Sequence, residues 1–257
     1  MLKNILASVV LCGLTITMSP FVNAQGGLRI AVEGAYPPFN MRDADGSLKG
    51  FDVEIASALC KQMNIECEIV AQDWDGMIPG LLTKKYDAIL SSMSITEPRK
   101  KVIAFSKPYY RTNGIVLKRK DNAEITGIDP ASVKGKVIAA QTASIYSALL
   151  EKDYGDSQVK LYASVDEAFS DLTVNRVAVV FADKIAAQQW LEHGGNECCE
   201  AVGPEISDVK VIGEGAGIGL RKSDRELQTR FNNAIDEIVR NGTYKTINDK
   251  YFSFSVY

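Results

Sequence analysis

Four short stretches of this sequence set charged or hydroxyl side chains just where an apolar run stops. Ser91-Ser92-Met93-Ser94 follows the run 86–90 and leads to Arg99. Asp183 comes shortly after 177–181, Gln141-Thr142-Ala143-Ser144-Ile145 follows 136–140, and Glu33 follows 28–32. A guanidinium can hold a carboxylate through two parallel hydrogen bonds. Serine hydroxyls serve ammonium or carboxylate, Asp183 suits an ammonium, and Glu33 suits a cation. Backbone N–H groups opening a helix at Ser144 and Ile145 suit a carboxylate. Tyr36 and Trp74 are candidate aromatic walls. Each residue also has a plainer reading. Arg99 could be a surface arginine beside Lys100 and Lys101, and the serines a turn. Asp183 could be the N-cap of the next helix, Trp74 a helix-start core residue, and Glu33 a solvated loop acid.

These positions matter only if the runs before them are strands. Periodicity predicts strands over 28–32, 67–70, 86–90 and 104–110, the last broken at Pro108. A helix is expected over 51–63, where Phe51, Ile55, Leu59 and Met63 share one face. Further helices are expected over 74–84 and 96–101. The second half repeats the alternation, with strands over 136–140, 159–162 and 177–181 between helices over 144–153, 165–173 and 184–192. Alternating βαβ units imply parallel sheets with helices on their faces, and ligands bind at the carboxyl ends of such strands. The polar stretch 121–135 reads as a connector. Gly213, Gly215, Gly217 and Gly219 lack GxGxxG spacing and suit a glycine-lined strand or bend at a lobe junction, not a nucleotide loop. Helices over 226–241 and from Gly242 to 252 close the chain, and the Asn241-Gly242-Thr243 sequon reads as helix-end chemistry.

The chain has 257 residues, 46% hydrophobic and 24% charged, with a net charge of -3. That is globular composition without the basic face that nucleic acid requires. A lone His193 leaves little room for zinc or Ser-His-Asp chemistry, and no cofactor or metal is expected. Lys3, an apolar run of about 14 residues and Val22-Asn23-Ala24 predict a secretory signal over 1–24, too short to span a bilayer. Export permits disulfides. Cys60 and Cys67, seven apart across a helix end and the next strand, are expected to pair. Cys198-Cys199 could be a vicinal disulfide or two free thiols.

Gly50-Phe51-Asp52-Val53-Glu54-Ile55-Ala56 resembles the signature segment of the family 3 extracellular solute-binding proteins, the periplasmic receptors of polar amino acid ABC importers. Tyr36-Pro37-Pro38-Phe39, Tyr86-Asp87-Ala88-Ile89, Ser94-Ile95-Thr96-Glu97-Pro98-Arg99, Phe105-Ser106-Lys107-Pro108-Tyr109-Tyr110 and Asn241-Gly242-Thr243-Tyr244 are also similar and keep the family's order. The pattern looks most like the lysine/arginine/ornithine- and histidine-binding subgroup and its opine-binding relatives, whose Cys60–Cys67 spacing it shares. The resemblance implies an α/β, two-lobed type II periplasmic-binding-protein fold, two sheets with flanking helices joined by two hinge strands. Lobe 1 would be discontinuous, 25–111 and 213–257, with lobe 2 at 112–212. It further implies a periplasmic, monomeric, non-enzymatic protein that binds a cationic amino acid and delivers it to a membrane permease. Arg99 would take the ligand's carboxylate with Ser144 and Ile145, Asp183 its ammonium, and Glu33 its cationic tail. Ser91, Ser92, Ser94, Gln141, Tyr36 and Trp74 would line the pocket. An opine or neutral polar amino acid, or an enzyme on the same fold, is the alternative.

Overall fold

The computed structural model describes residues 27–257, so the expected signal segment lies outside the described residues. In chain order the strands are β1 (Leu28–Val32), β2 (Ala35–Tyr36), β3 (Asn40–Arg42), β4 (Leu48–Lys49), β5 (Cys67–Ala71), β6 (Ala88–Ile89), β7 (Ala104–Tyr110), β8 (Gly114–Arg119), β9 (Val137–Gln141), β10 (Gln158–Tyr162), β11 (Val179–Asp183), β12 (Cys199–Ile206) and β13 (Ala216–Leu220). The helices are α1 (Phe51–Met63), α2 (Met77–Leu82), α3 (Glu97–Lys100), α4 (Ile145–Asp153), α5 (Val165–Thr173), α6 (Lys184–Glu192), α7 (Val209–Ile212), α8 (Arg225–Arg240) and α9 (Thr243–Tyr251).

Two five-stranded sheets carry the molecule, ordered β5-β1-β6-β13-β7 and β10-β9-β11-β8-β12, with a small antiparallel β2-β3-β4 sheet beside them. This is the two-lobed α/β architecture the sequence led us to expect. β1, β5 and β6 run parallel, and so do β9, β10 and β11, while β13, β8 and β12 pair antiparallel. Strands covered on both faces read as continuous apolar runs. Ile30, Ala31 and Val32 of β1 are fully buried, as are Val179, Val180 and Phe181 of β11. Alternate residues of a strand enter opposite cores: Val180 joins α5 through Phe169 and Leu172, whereas Phe181 joins α4 through Leu150. Among the described residues no helix is long and apolar enough to cross a membrane.

Of the alternating glycines, Gly217 and Gly219 belong to β13, deep in the first sheet, while Gly213 and Gly215 precede it with positive φ. A Cβ on Gly217 would lie 2.7 Å from Ile95 Cδ1, so the strand can be covered only if that side chain is missing. The expected break at Pro108 is corrected: β7 runs through it at the sheet edge, where proline is tolerated, and the cost appears as a register shift against β13. The expected helix over 74–84 is also corrected. It divides into a 3-10 turn at Trp74–Gly76 and α2, whose fresh start keeps Pro79 in a first turn. β8 and β12 were not read from the sequence.

Cys60 at the end of α1 and Cys67 at the start of β5 are bonded, with S–S 1.96 Å and Cα–Cα 6.1 Å. Of the two readings left open for Cys198 and Cys199, the structure has the vicinal disulfide. The Cys60–Cys67 bridge closes a short loop, for which chain entropy gives about 2–3 kcal/mol. Peptide mapping of unreduced protein is expected to recover that pair, and Cys60→Ser with Cys67→Ser to lose about that much in urea denaturation. Both cysteines recovered as free thiols would contradict the assignment.

Candidate functional site

All eleven residues proposed from the sequence line one cavity between the two sheets: Glu33, Tyr36, Trp74, Ser91, Ser92, Ser94 and Arg99 from the first unit, and Gln141, Ser144, Ile145 and Asp183 from the second. Its empty volume, mouth included, is ≈ 510 Å³. Their shared location follows from topology. Glu33, Ser91, Gln141 and Asp183 sit at or just past the carboxyl ends of β1, β6, β9 and β11, and the two sheets turn those ends toward each other.

Arg99 rides on α3 and reaches across the cleft. Its Nη1 donates to the Ser94 carbonyl at 3.0 Å and its Nη2 to the Ala143 carbonyl at 3.2 Å, while its guanidinium lies over the Trp74 ring at 5.3 Å. No carboxylate among the described residues lies within ion-pair distance of it. Burial alone lowers its pKa to about 10. The surface-arginine alternative is therefore set aside. Trp74 serves as a wall, but one that stacks on the protein's own cation. Its indole N–H is buried without a partner.

For Asp183 the cap and a place in the cavity occur together. It lines the cavity and caps α6, its Oδ1 accepting the Ile185 N–H at 2.9 Å and the Thr112 hydroxyl at 3.2 Å. Those bonds leave Oδ2 for another donor. Ser144 likewise caps α4, accepting the Ser147 N–H at 3.0 Å. The preceding Ala143 takes a left-handed φ of 53°, where glycine is the easier residue. Glu33 is no solvated loop acid: it is 8% exposed, and its Oε1 accepts a 2.6 Å hydrogen bond from Gln141 Nε2 of the other unit.

Burial raises Glu33 and Asp183 to about 7 each, against the hydrogen bonds that hold them down. The cavity therefore presents two desolvated carboxylates and one desolvated guanidinium. Tyr146, Val165, Phe181 and Ala182 also line it and were missed. The signal for Phe181 and Ala182 was adjacency to Asp183. Val165 comes from the second unit's α5, which no local pattern ties to the cleft. Among the described residues no group of three or more His, Cys, Asp or Glu is gathered to hold a metal.

The model of the bacterial extracellular solute-binding proteins, family 3, matches residues 28–254. The chain is 42% identical over 249 residues to the L-arginine-binding protein of Pseudomonas aeruginosa, covering 95% of each. It is 36% identical over 260 residues to the lysine/arginine/ornithine-binding periplasmic protein of Escherichia coli, covering 100% of this chain and 99% of that one. A solved ancestral arginine-binding protein bound to arginine superposes with a TM-score of 0.81 at 34% identity, covering 88% of this chain and 98% of its own.

The electrostatics of the cleft set a pH signature. Glu33 is raised above its ordinary 4.5 to about 7. Its contribution to stability is thus fully present below about 4.5 and lost as pH rises through about 7. Glu33→Gln removes that loss. The ligand-free variant should be more stable than wild type by about 1–3 kcal/mol at pH 8, with no such gain at pH 4.5, in urea denaturation. An equal effect at both pH values would show that Glu33 is not held above its ordinary range.

Proposed function

The chain belongs to the bacterial extracellular solute-binding proteins of family 3, and on that premise we propose that it binds a cationic amino acid between its lobes and presents it to the membrane permease of an ABC importer. The charge balance of the cleft carries this reading. A zwitterion brings one carboxylate and one ammonium, which Arg99 and Asp183 match. Glu33 is then the remaining carboxylate, and a positively charged side chain neutralises it. Arginine, lysine, ornithine and histidine are the class this describes.

In this reading the ligand's carboxylate meets the Arg99 guanidinium and the N–H groups opening α4 at Ser144 and Ile145. Its ammonium meets Asp183 Oδ2 and the serine corner, while its stem lies between Tyr36 and Trp74. Lobe 1 comprises 25–111 and 213–257 and lobe 2 comprises 112–212, a division supported by the sheet to which each strand belongs. Closing joins Glu33 to Gln141 and Arg99 to Ala143 across the gap. The protein works in the periplasm after loss of its signal segment. It acts as a monomer and as a receptor without catalysis, releasing its ligand unchanged. A second reading, a neutral polar ligand such as glutamine, draws on one observation: Glu33 already accepts an N–H from an amide at 2.6 Å.

Calorimetry separates these. Arg99→Ala leaves a ligand carboxylate unpaired in a desolvated site, a loss of about 3–5 kcal/mol, and should weaken binding at least about a hundredfold. Near-native binding would remove Arg99 from the site. Glu33→Gln should cost arginine about tenfold or more and leave glutamine nearly unchanged. Equal arginine affinity in wild type and Glu33→Gln would favour the neutral-ligand reading.

A further inference from the structure

Asp52 lies in the Gly50–Ala56 segment that the sequence singled out, and no role described so far uses it. It occupies the first turn of α1 with no exposure, and burial raises it to about 7 against the N-terminal helix dipole and the hydrogen bonds that favour its charge. Three donors converge on its carboxylate. Tyr109 OH reaches Oδ1 at 2.7 Å, and Asn40 Nδ2 and Ser92 Oγ reach Oδ2 at 2.8 and 2.9 Å. The Tyr109 oxygen in turn accepts the Ser92 N–H at 2.9 Å. That clasp holds Ser92 at a left-handed φ of 54°, a conformation a serine rarely adopts unaided.

The consequence concerns which way the hydroxyls face. An ionised carboxylate only accepts, so above about pH 7, where Asp52 is ionised, the single Ser92 hydroxyl proton is committed to it. What Ser92 Oγ can still offer the cavity is lone pairs. Ser91 is wired the other way. Its Oγ accepts the Glu33 N–H at 2.9 Å and Asn40 Nδ2 at 3.3 Å, which leaves its proton for an acceptor. Asn40 cannot turn over to reverse this, because its Oδ1 already accepts the Gly34 N–H at 2.8 Å.

We infer that Asp52 is a positioning residue of the binding site, which fixes the Ser92 hydroxyl as an acceptor for the ligand's ammonium. This rests on the amino acid reading above but not on the choice of cationic side chain, because every α-amino acid brings the same ammonium.

A double-mutant cycle tests it. L-arginine and L-glutamine binding is measured by calorimetry for wild type, Asp52→Asn, Ser92→Ala and the double variant, alongside the melting of each ligand-free protein. Each single change should weaken binding of whichever of the two amino acids the wild type takes by about tenfold. The double variant should bind about as well as the weaker single one, because Asp52 acts through Ser92. Losses that multiply, or Asp52→Asn with wild-type affinity, overturn the proposal. Wild type preferring glutamine overturns the cationic reading and leaves the cycle valid. Wild type binding neither amino acid overturns both. If Asp52→Asn does not fold, Asp52→Glu keeps the charge but moves the carboxylate away from its place at Ser92 Oγ, and the same cycle and criteria apply.

Discussion

An unpaired guanidinium facing two desolvated carboxylates is the constraint on which the rest of this molecule depends. Arg99 finds only carbonyl oxygens and an aromatic face among the described residues, and Glu33 and Asp183 are both pushed up to about 7 by burial. Charges removed from water without partners are costly. A chain seeking only stability would have replaced them or paired them internally. Their arrangement makes sense as one half of an interaction whose other half comes from solution. Specificity then follows from leaving matched polar groups unpaired when the wrong molecule enters.

Holding those groups apart requires a stiff frame, and the backbone provides it at strand and helix ends. Glu33 and Asp183 end buried central strands, Arg99 sits on a helix one turn long, and Ser144 and Asp183 are locked by capping the helices they precede. The capping bonds do two jobs at once. They satisfy helix N–H groups, and they fix each side chain's orientation before a ligand arrives. Ser92 is held differently, by a buried carboxylate beneath it.

How much of this was legible depends on sequence distance. Glu33, Ser91, Gln141 and Asp183 could be read because each follows an apolar run whose length marks a strand, so function was displayed next to structure. Asp52 could not, because Asn40, Ser92 and Tyr109 stand 12, 40 and 57 residues away from it. Val165 stayed hidden for the same reason. β12 escaped because its burial pattern is mostly exposed and its pairing with β8 slips between Val202 and Ile206. The helix over 51–63 was plain from its stripe. The split of the next helix was not, because periodicity alone cannot see where a proline makes a helix start again.

The placement of β13 has a kinetic consequence. It lies between β6 and β7, so the first sheet has a gap at its centre until a strand near the end of the chain arrives. The second sheet has no such dependence: all its strands fall between Gly114 and Ile206, and those two residues are register partners. The inserted unit therefore begins and ends at one point and can assemble around itself. The first unit must wait, with edges open, for a strand synthesised after the whole of the inserted unit. Long-range closure of that kind slows folding, so the earliest-made residues are among the latest to reach their final neighbours.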